Sequence, residues 1–346
     1  MKKRFVWVDY LKATLIFLMV LGHSSQQGIV GAVLSSFHMP AFFMVSGFLY
    51  HNREPKKLLK SFVFPFIIYY LLWLFKVQFI NYQTEGHFIS GYISETFCGL
   101  LTSDLSVNAK SSFPGYWFLI VLLLIRLYAG DLKIFRNFSL YRLQLSLTVI
   151  ILYGVLLALF PNQTQFISRI YLIKAIVCFP FFYLGIYVRE MSVEKRERLF
   201  SLSQIWLVLL FASSLILSSI NGPVNVMLSE YGKNFVLFII NTLPMTLFLI
   251  NIFMRFTSPN SKYDINASTI KTMRNKITSV VTVISDGTLL ILGIHGIIIG
   301  FFKMAFQNTS FFSNPFRPLC CACIVMIICY PLIILAKKRM PILLGK

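Results

Sequence analysis

Apolar residues run almost unbroken from Phe5 to Gly22, and comparable runs recur along the chain between short polar interruptions. A helix that crosses a bilayer needs about 20 apolar residues. By that measure ten segments are expected, at approximately 5–22, 29–50, 61–80, 116–130, 145–160, 166–188, 202–220, 234–254, 280–302 and 318–336. The fourth and fifth are short for a full crossing, and 92–101 is apolar enough for a partial insertion, so the count is good to one or two. The pattern predicts an all-α integral membrane protein: a bundle of about ten transmembrane helices, forming a single domain over residues 1–346.

Composition agrees with the pattern. The chain is 57% hydrophobic and 13% charged, with a mean hydropathy of +0.75, which excludes an ordinary soluble core. The net charge of +20 suggests nucleic acid until the cations are placed. Lys2, Lys3 and Arg4 precede the first segment, and Arg53, Lys56, Lys57 and Lys60 follow the second. Further groups follow the fourth, sixth and eighth segments and the last, whereas only Lys110, Lys233, Lys303 and Arg317 fall in loops of the other side. This is the positive-inside distribution. It places both termini in the cytoplasm, makes the charge an orientation signal and leaves no role for nucleic acid. The first segment lacks a small-residue cleavage pattern and reads as a transmembrane helix rather than a signal peptide. The six cysteines lack zinc-site spacing, no metal is expected, and small buried hydrophobes are their expected role.

Polar residues inside the apolar runs carry the chemistry. At 100° per residue, Lys12 and His23 differ by about 20° in azimuth and Asp9 and His23 by about 40°, so all three share one stripe of the first helix. Such residues line a protein interior or a wet path, because a charge facing lipid costs several kcal/mol. An Asp9–Lys12 pair could serve only to join helices, but that does not account for His23. Arg126, Arg169 and Lys174 also fall inside expected segments, and Asp9 is the one clear carboxylate well inside a segment. The surplus positive charge suggests an interior that binds an anion such as a phosphorylated cofactor. Lys76 lies near a segment end, where it can snorkel.

Histidine takes protons near neutral pH. His23 and His38 belong to one antiparallel hairpin and fall at similar depth, with His295 of the ninth segment within reach. His51 reads as interfacial and His87 as solvated. Tyr116 and Trp117 are expected at an outer mouth, where they could stack on sugar or simply belong to an aromatic belt. The outer segment 81–115, with its glycines, reads either as an acceptor-binding loop or as a surface cap.

Together these residues resemble a family. Arg4, Asp9, Lys12 and His23 in RFVWVDYLKATLIFLMVLGH are similar to the opening signature of the membrane acyltransferase-3 family. FHMPAFFMVSGFLY at 37–50 resembles its second signature, with His38, Pro40, Phe43, Ser46 and Gly47 in place. YWFL at 116–119, PFFYLGIYV at 180–188 and ISDGTLLILGIH ending at His295 resemble later motifs in the family's order. The likeness is strongest to its fucose 4-O-acetylase-like, polysaccharide O-acetyltransferase branch.

The resemblance implies a multi-pass enzyme of the cell membrane that moves an acyl group, usually acetyl from acetyl-CoA, to a hydroxyl of a cell-surface polysaccharide or lipid-linked glycan. The family's essential histidine corresponds to His23, which by its chemistry would act as general base or as a transient acyl carrier, with His38 orienting it or the acceptor. Asp9 and Lys12 would organise the cytoplasmic entrance for the CoA nucleotide, with Arg126, Lys174 and Arg169 on its phosphates or a developing oxyanion. Tyr116, Trp117, Ser46 and His295 would contact the substrate. Part of the family has arginine where this chain has Lys12, which keeps the charge and loses the bidentate fork. A transporter or flippase of lipid-linked saccharides is the alternative from another class. Oligomeric state stays open, a homo-oligomer included.

Overall fold

A computed structural model of the protein describes residues 4–24, 28–102, 116–131, 139–160, 170–257, 268–306, 309 and 315–346. A backbone in hydrocarbon must satisfy its own N–H and C=O groups, and the described residues do so almost entirely as helix. In chain order these are α1 (Val6–His23), α2 (Gly28–Phe48), α3 (Pro55–Glu85), α4 (Tyr92–Thr102), α5 (Trp117–Arg126), α6 (Ser139–Leu159), α7 (Tyr171–Glu190), α8 (Val193–Leu199), α9 (Gln204–Asn221), α10 (Phe235–Thr257), α11 (Ser268–Asp286), α12 (Thr288–Phe306) and α13 (Arg317–Arg339). A short turn, Pro341–Leu344, follows α13.

Among the described residues, eight helices are long and apolar enough to cross a membrane: α1, α2, α3, α7, α9, α10, α12 and α13. Two shorter apolar stretches, Trp117–Gly130 and Leu143–Leu159, occupy the fourth and fifth expected segments. The chain is thus a multi-pass, all-helical membrane protein. The expected ninth segment, 280–302, is a correction: it is two helices meeting at Gly287. Its hydrophobicity continues across the junction, but Ser285 bonds Asp9 of α1, Asp286 bonds Arg4 just before it, and a Cβ on Gly287 would strike the Ile333 side chain. The third helix is also longer than expected. It opens with Pro55 in the first turn and closes on Gly86 at φ 74°, a left-handed cap that a side chain would strain.

The tightest pairing is α2 against α7. A Cβ on Gly47 would collide with the Phe182 carbonyl, and one on Gly185 with the Met44 carbonyl, so the two backbones touch where both side chains are absent. Pro40 within α2 has no N–H for the Ser36 carbonyl. Thr242 Oγ of α10 donates to that carbonyl at 3.3 Å, which ties α10 to α2. Helix α1 is central, in contact with α2, α10, α11, α12 and α13. It runs from the arginine- and lysine-rich end of the bundle, here the basic end, to His23 at the other.

Candidate active site

Three histidines converge where α1 ends. The His23 and His295 ring centroids are 5.1 Å apart, and His23 interacts electrostatically with both His38 and His295. His38 Nδ1 lies 2.5 Å from the Leu34 carbonyl. His295 Nδ1 lies 3.0 and 2.9 Å from the Ile291 and Leu292 carbonyls. A carbonyl only accepts, so each Nδ1 carries the proton and the neutral ring presents a bare Nε2. The buried His295 Nε2 has no partner among the described residues. His23, the last residue of α1, is exposed. A ring that reaches solvent or substrate beside two bare imine nitrogens is a place for proton transfer.

A cavity of about 690 Å³ leads toward this cluster from the basic end. Its mouth carries His51, Arg53, Arg126 and Arg189. Arg126 Nη donates to the His51 carbonyl at 3.0 Å, and Arg189 Nη to the Phe48 and Tyr50 carbonyls at 3.2 and 2.8 Å. Arg53 Nε lies 3.3 Å from His51 Nε2. The guanidiniums are held by the chain at Phe48–His51, where α2 ends, and positioned around one opening. Farther in, Phe42, Val45, Phe118, Leu122 and Leu292 make the wall apolar, with Ser46 and Lys12 as polar points. The inner wall includes Met19, Met39 and Leu292. These lie four, one and three residues from His23, His38 and His295, so the cavity reaches within about one helical turn, ~6 Å, of the cluster.

The α1 carboxylate has a different environment. Arg4 grips Asp9 through Nε at 2.6 Å and Nη at 3.0 Å, and Ser285 Oγ donates to Asp9 at 2.6 Å. Arg4 also reaches Asp286 at 3.2 Å, which Lys337 meets at 2.6 Å. Lys12 Nζ donates to the Ser285 carbonyl at 2.6 Å. The α11–α12 junction is therefore clasped to α1 by charge-assisted bonds. Burial alone would raise the Asp286 pKa, but Lys337, Lys346 and Arg4 outweigh it and hold the carboxyl below its ordinary 3.8.

Set against the expected site, the structure brings His23, His38 and His295 together beyond the cavity, none of them in its lining, and puts Lys12, Ser46 and Arg126 on the cavity's wall or mouth. Asp9 does not line it: the carboxylate is taken up by Arg4 and Ser285. Lys174 is fully buried in α7, 5.9 Å over the Tyr171 ring, and is likewise outside the lining. Arg169 lies outside the described residues. Tyr116 and Trp117 are not at an outer mouth, and this is a correction. Both are buried, Tyr116 Oη lying 3.0 and 2.9 Å from the Tyr69 and Gly293 carbonyls, and Trp117 against Phe43. Buried rings have no face to offer a sugar. Arg53, Arg189 and His51 are the mouth residues that sequence reasoning passed over. In the sequence the two arginines look like orientation charge and His51 like an interfacial residue, although they flank the second signature and the glycine-bearing helix. Among the described residues no group of His, Cys, Asp and Glu is placed to hold a metal ion.

A family model described as an acyltransferase domain, the acyltransferase-3 domain, matches residues 5–334. Neither the curated proteins nor the solved structures include a match to the chain.

Proposed function

The chain belongs to the acyltransferase-3 family, and from that premise we propose that it is an O-acyltransferase of the polysaccharide-modifying, fucose 4-O-acetylase-like branch. Acetyl-CoA is the donor, and a hydroxyl of a cell-surface polysaccharide or lipid-linked glycan is the acceptor. By the positive-inside distribution the basic end and both termini face the cytoplasm of a plasma or inner membrane. Donor then enters at the arginine mouth, and acceptor meets it at the opposite side.

The observation that carries this reading is one cavity that begins among Arg53, Arg126 and Arg189 and ends a turn short of His23. Guanidiniums suit the phosphates of a nucleotide, and the apolar wall suits an extended thioester arm. His23 takes the proton of the acceptor hydroxyl as its oxygen attacks the thioester carbonyl. The C–O bond forms, the C–S bond breaks, and the departing CoA thiolate receives the proton. His295, 5.1 Å from His23 by ring centroids, offers its bare Nε2 to orient the His23 ring, and His38 Nε2 accepts from a neighbouring hydroxyl of the acceptor and so orients it. Ser46, a polar residue of the cavity wall, hydrogen-bonds the amides of the arm in this reading. Positioning accounts for much of such a reaction, because the thioester is already activated.

The test is CoA release from acetyl-CoA by purified protein in nanodiscs, with and without candidate glycan acceptors. Loss of a general base typically costs 10²–10⁴-fold, so His23→Ala should lower acceptor-stimulated release by about that factor while donor still binds. Release at the wild-type rate from a folded His23→Ala protein contradicts the assigned base.

A further inference from the structure

A second groove of about 780 Å³ adjoins the mouth of the cavity at the basic end. The two share Arg53, Ser61 and Gly345 and so lie side by side. Arg53, Lys57, Lys60 and Lys346 make the groove cationic, and Glu54, 3.1 Å from Lys57, is the single carboxylate side chain in its lining. Lys57 and Lys60 are three residues apart on the first turns of α3 and so rise from neighbouring faces of the helix. They stand clear of packed side chains, both exposed. Lys346, by contrast, sits 4.0 Å from Asp286 and is anchored to the α11–α12 junction.

We propose that this groove binds the ribose 3′-phosphate of the acyl-CoA donor, and so selects free acyl-CoA over shorter phosphopantetheine thioesters. The assignment rests on the acyl-CoA reading above and refines it. The two spaces divide the donor by chemistry. The apolar cavity takes the uncharged acyl arm, and the mouth guanidiniums take the diphosphate, for which a planar fork is suited. The lysine groove takes the monophosphate that projects sideways from the nucleotide, which a compact ammonium suits. Lysines whose only task was orientation would be served by any position on the basic face. These line a groove continuous with the donor entrance.

The experiment compares acetyl-CoA with 3′-dephospho-acetyl-CoA as donors for the wild type and for a Lys57→Gln/Lys60→Gln double variant, in phosphatidylcholine nanodiscs. Solvent-exposed charge contacts are worth about fivefold each at most. The wild type should therefore show a KM about five- to tenfold lower for acetyl-CoA, the difference shrinking at high salt. The double variant should use both donors with the same, higher KM. Equal KM values in the wild type overturn the proposal while leaving the acyl-CoA reading intact. A wild-type preference that persists in the double variant overturns the assignment to this groove. If phosphatidylglycerol co-purifies with the wild type and is lost from the double variant while donor preference stays, the groove holds a lipid headgroup and the proposal falls. If neither donor binds or reacts, the acyl-CoA reading itself fails, an outcome distinct from all of these.

Discussion

A histidine whose Nδ1 faces a helix carbonyl has only a bare Nε2 to present, and His38 and His295 are both held that way. This separates the three clustered rings by role: His23 is exposed, and the other two are fixed acceptors beside it. His295→Ala should lower kcat about tenfold or more with the KM for acetyl-CoA little changed, because His295 lies beyond the donor cavity. A shift confined to donor KM would place His295 in donor binding instead. Which residues share the α1 stripe was legible from the 100° advance alone. What Asp9 does was not, since its partner Ser285 is 276 residues away in sequence and no periodicity reports such a contact. Tyr116 and Trp117 misled for a related reason. An aromatic pair at the start of an apolar run looks the same whether it meets a sugar or, as here, the carbonyls of neighbouring helices.

Helices pair where the sequence leaves gaps, and the α2–α7 contact shows how narrow those gaps are. Gly185→Ala would push a methyl group into the Met44 carbonyl, and overpacking of a close contact costs about 1–3 kcal/mol. The variant should melt several degrees below wild type in a detergent-based thermal assay; unchanged melting would mean that the helices separate freely. The same glycines were visible in the sequence as motif members, while their partners were not. At the α11–α12 junction hydrophobicity argued for one helix, and Ser285, Asp286 and Gly287 divided it because their bonds and contacts run to α1 and α13. Asp286 is depressed below 3.8 by its cationic neighbours, so its contribution is complete above that pH and is lost as pH falls through the lower, folded-state value. The stability gap between wild type and Asp286→Asn should therefore be full at pH 7 and close progressively below about pH 4. A gap that widens toward acid would show that the carboxylate destabilises the fold.

At the scale of the molecule, the membrane class and the all-helical architecture followed from hydropathy, whereas the ten expected spans became eight full-length apolar helices and two shorter stretches among the described residues. The cavity could not be read that way, because its wall is assembled from α1, α2, α3, α5, α7, α12 and the turn Pro341–Leu344 with the loops beside them. Arginines that look like orientation charges in a linear sequence become a mouth only when Arg53, Arg126 and Arg189 meet at the end of α2. The central claim is that an acyl group enters at this mouth and leaves beside His23 at the opposite end of the bundle. The most direct measurement uses sealed proteoliposomes sorted by orientation, with radiolabelled acetyl-CoA added only to the basic face and glycan acceptor enclosed on the other. The account predicts label on the enclosed acceptor, CoA left on the donor side, and loss of both in His23→Ala. Transfer that occurs only when donor and acceptor share one side would contradict it.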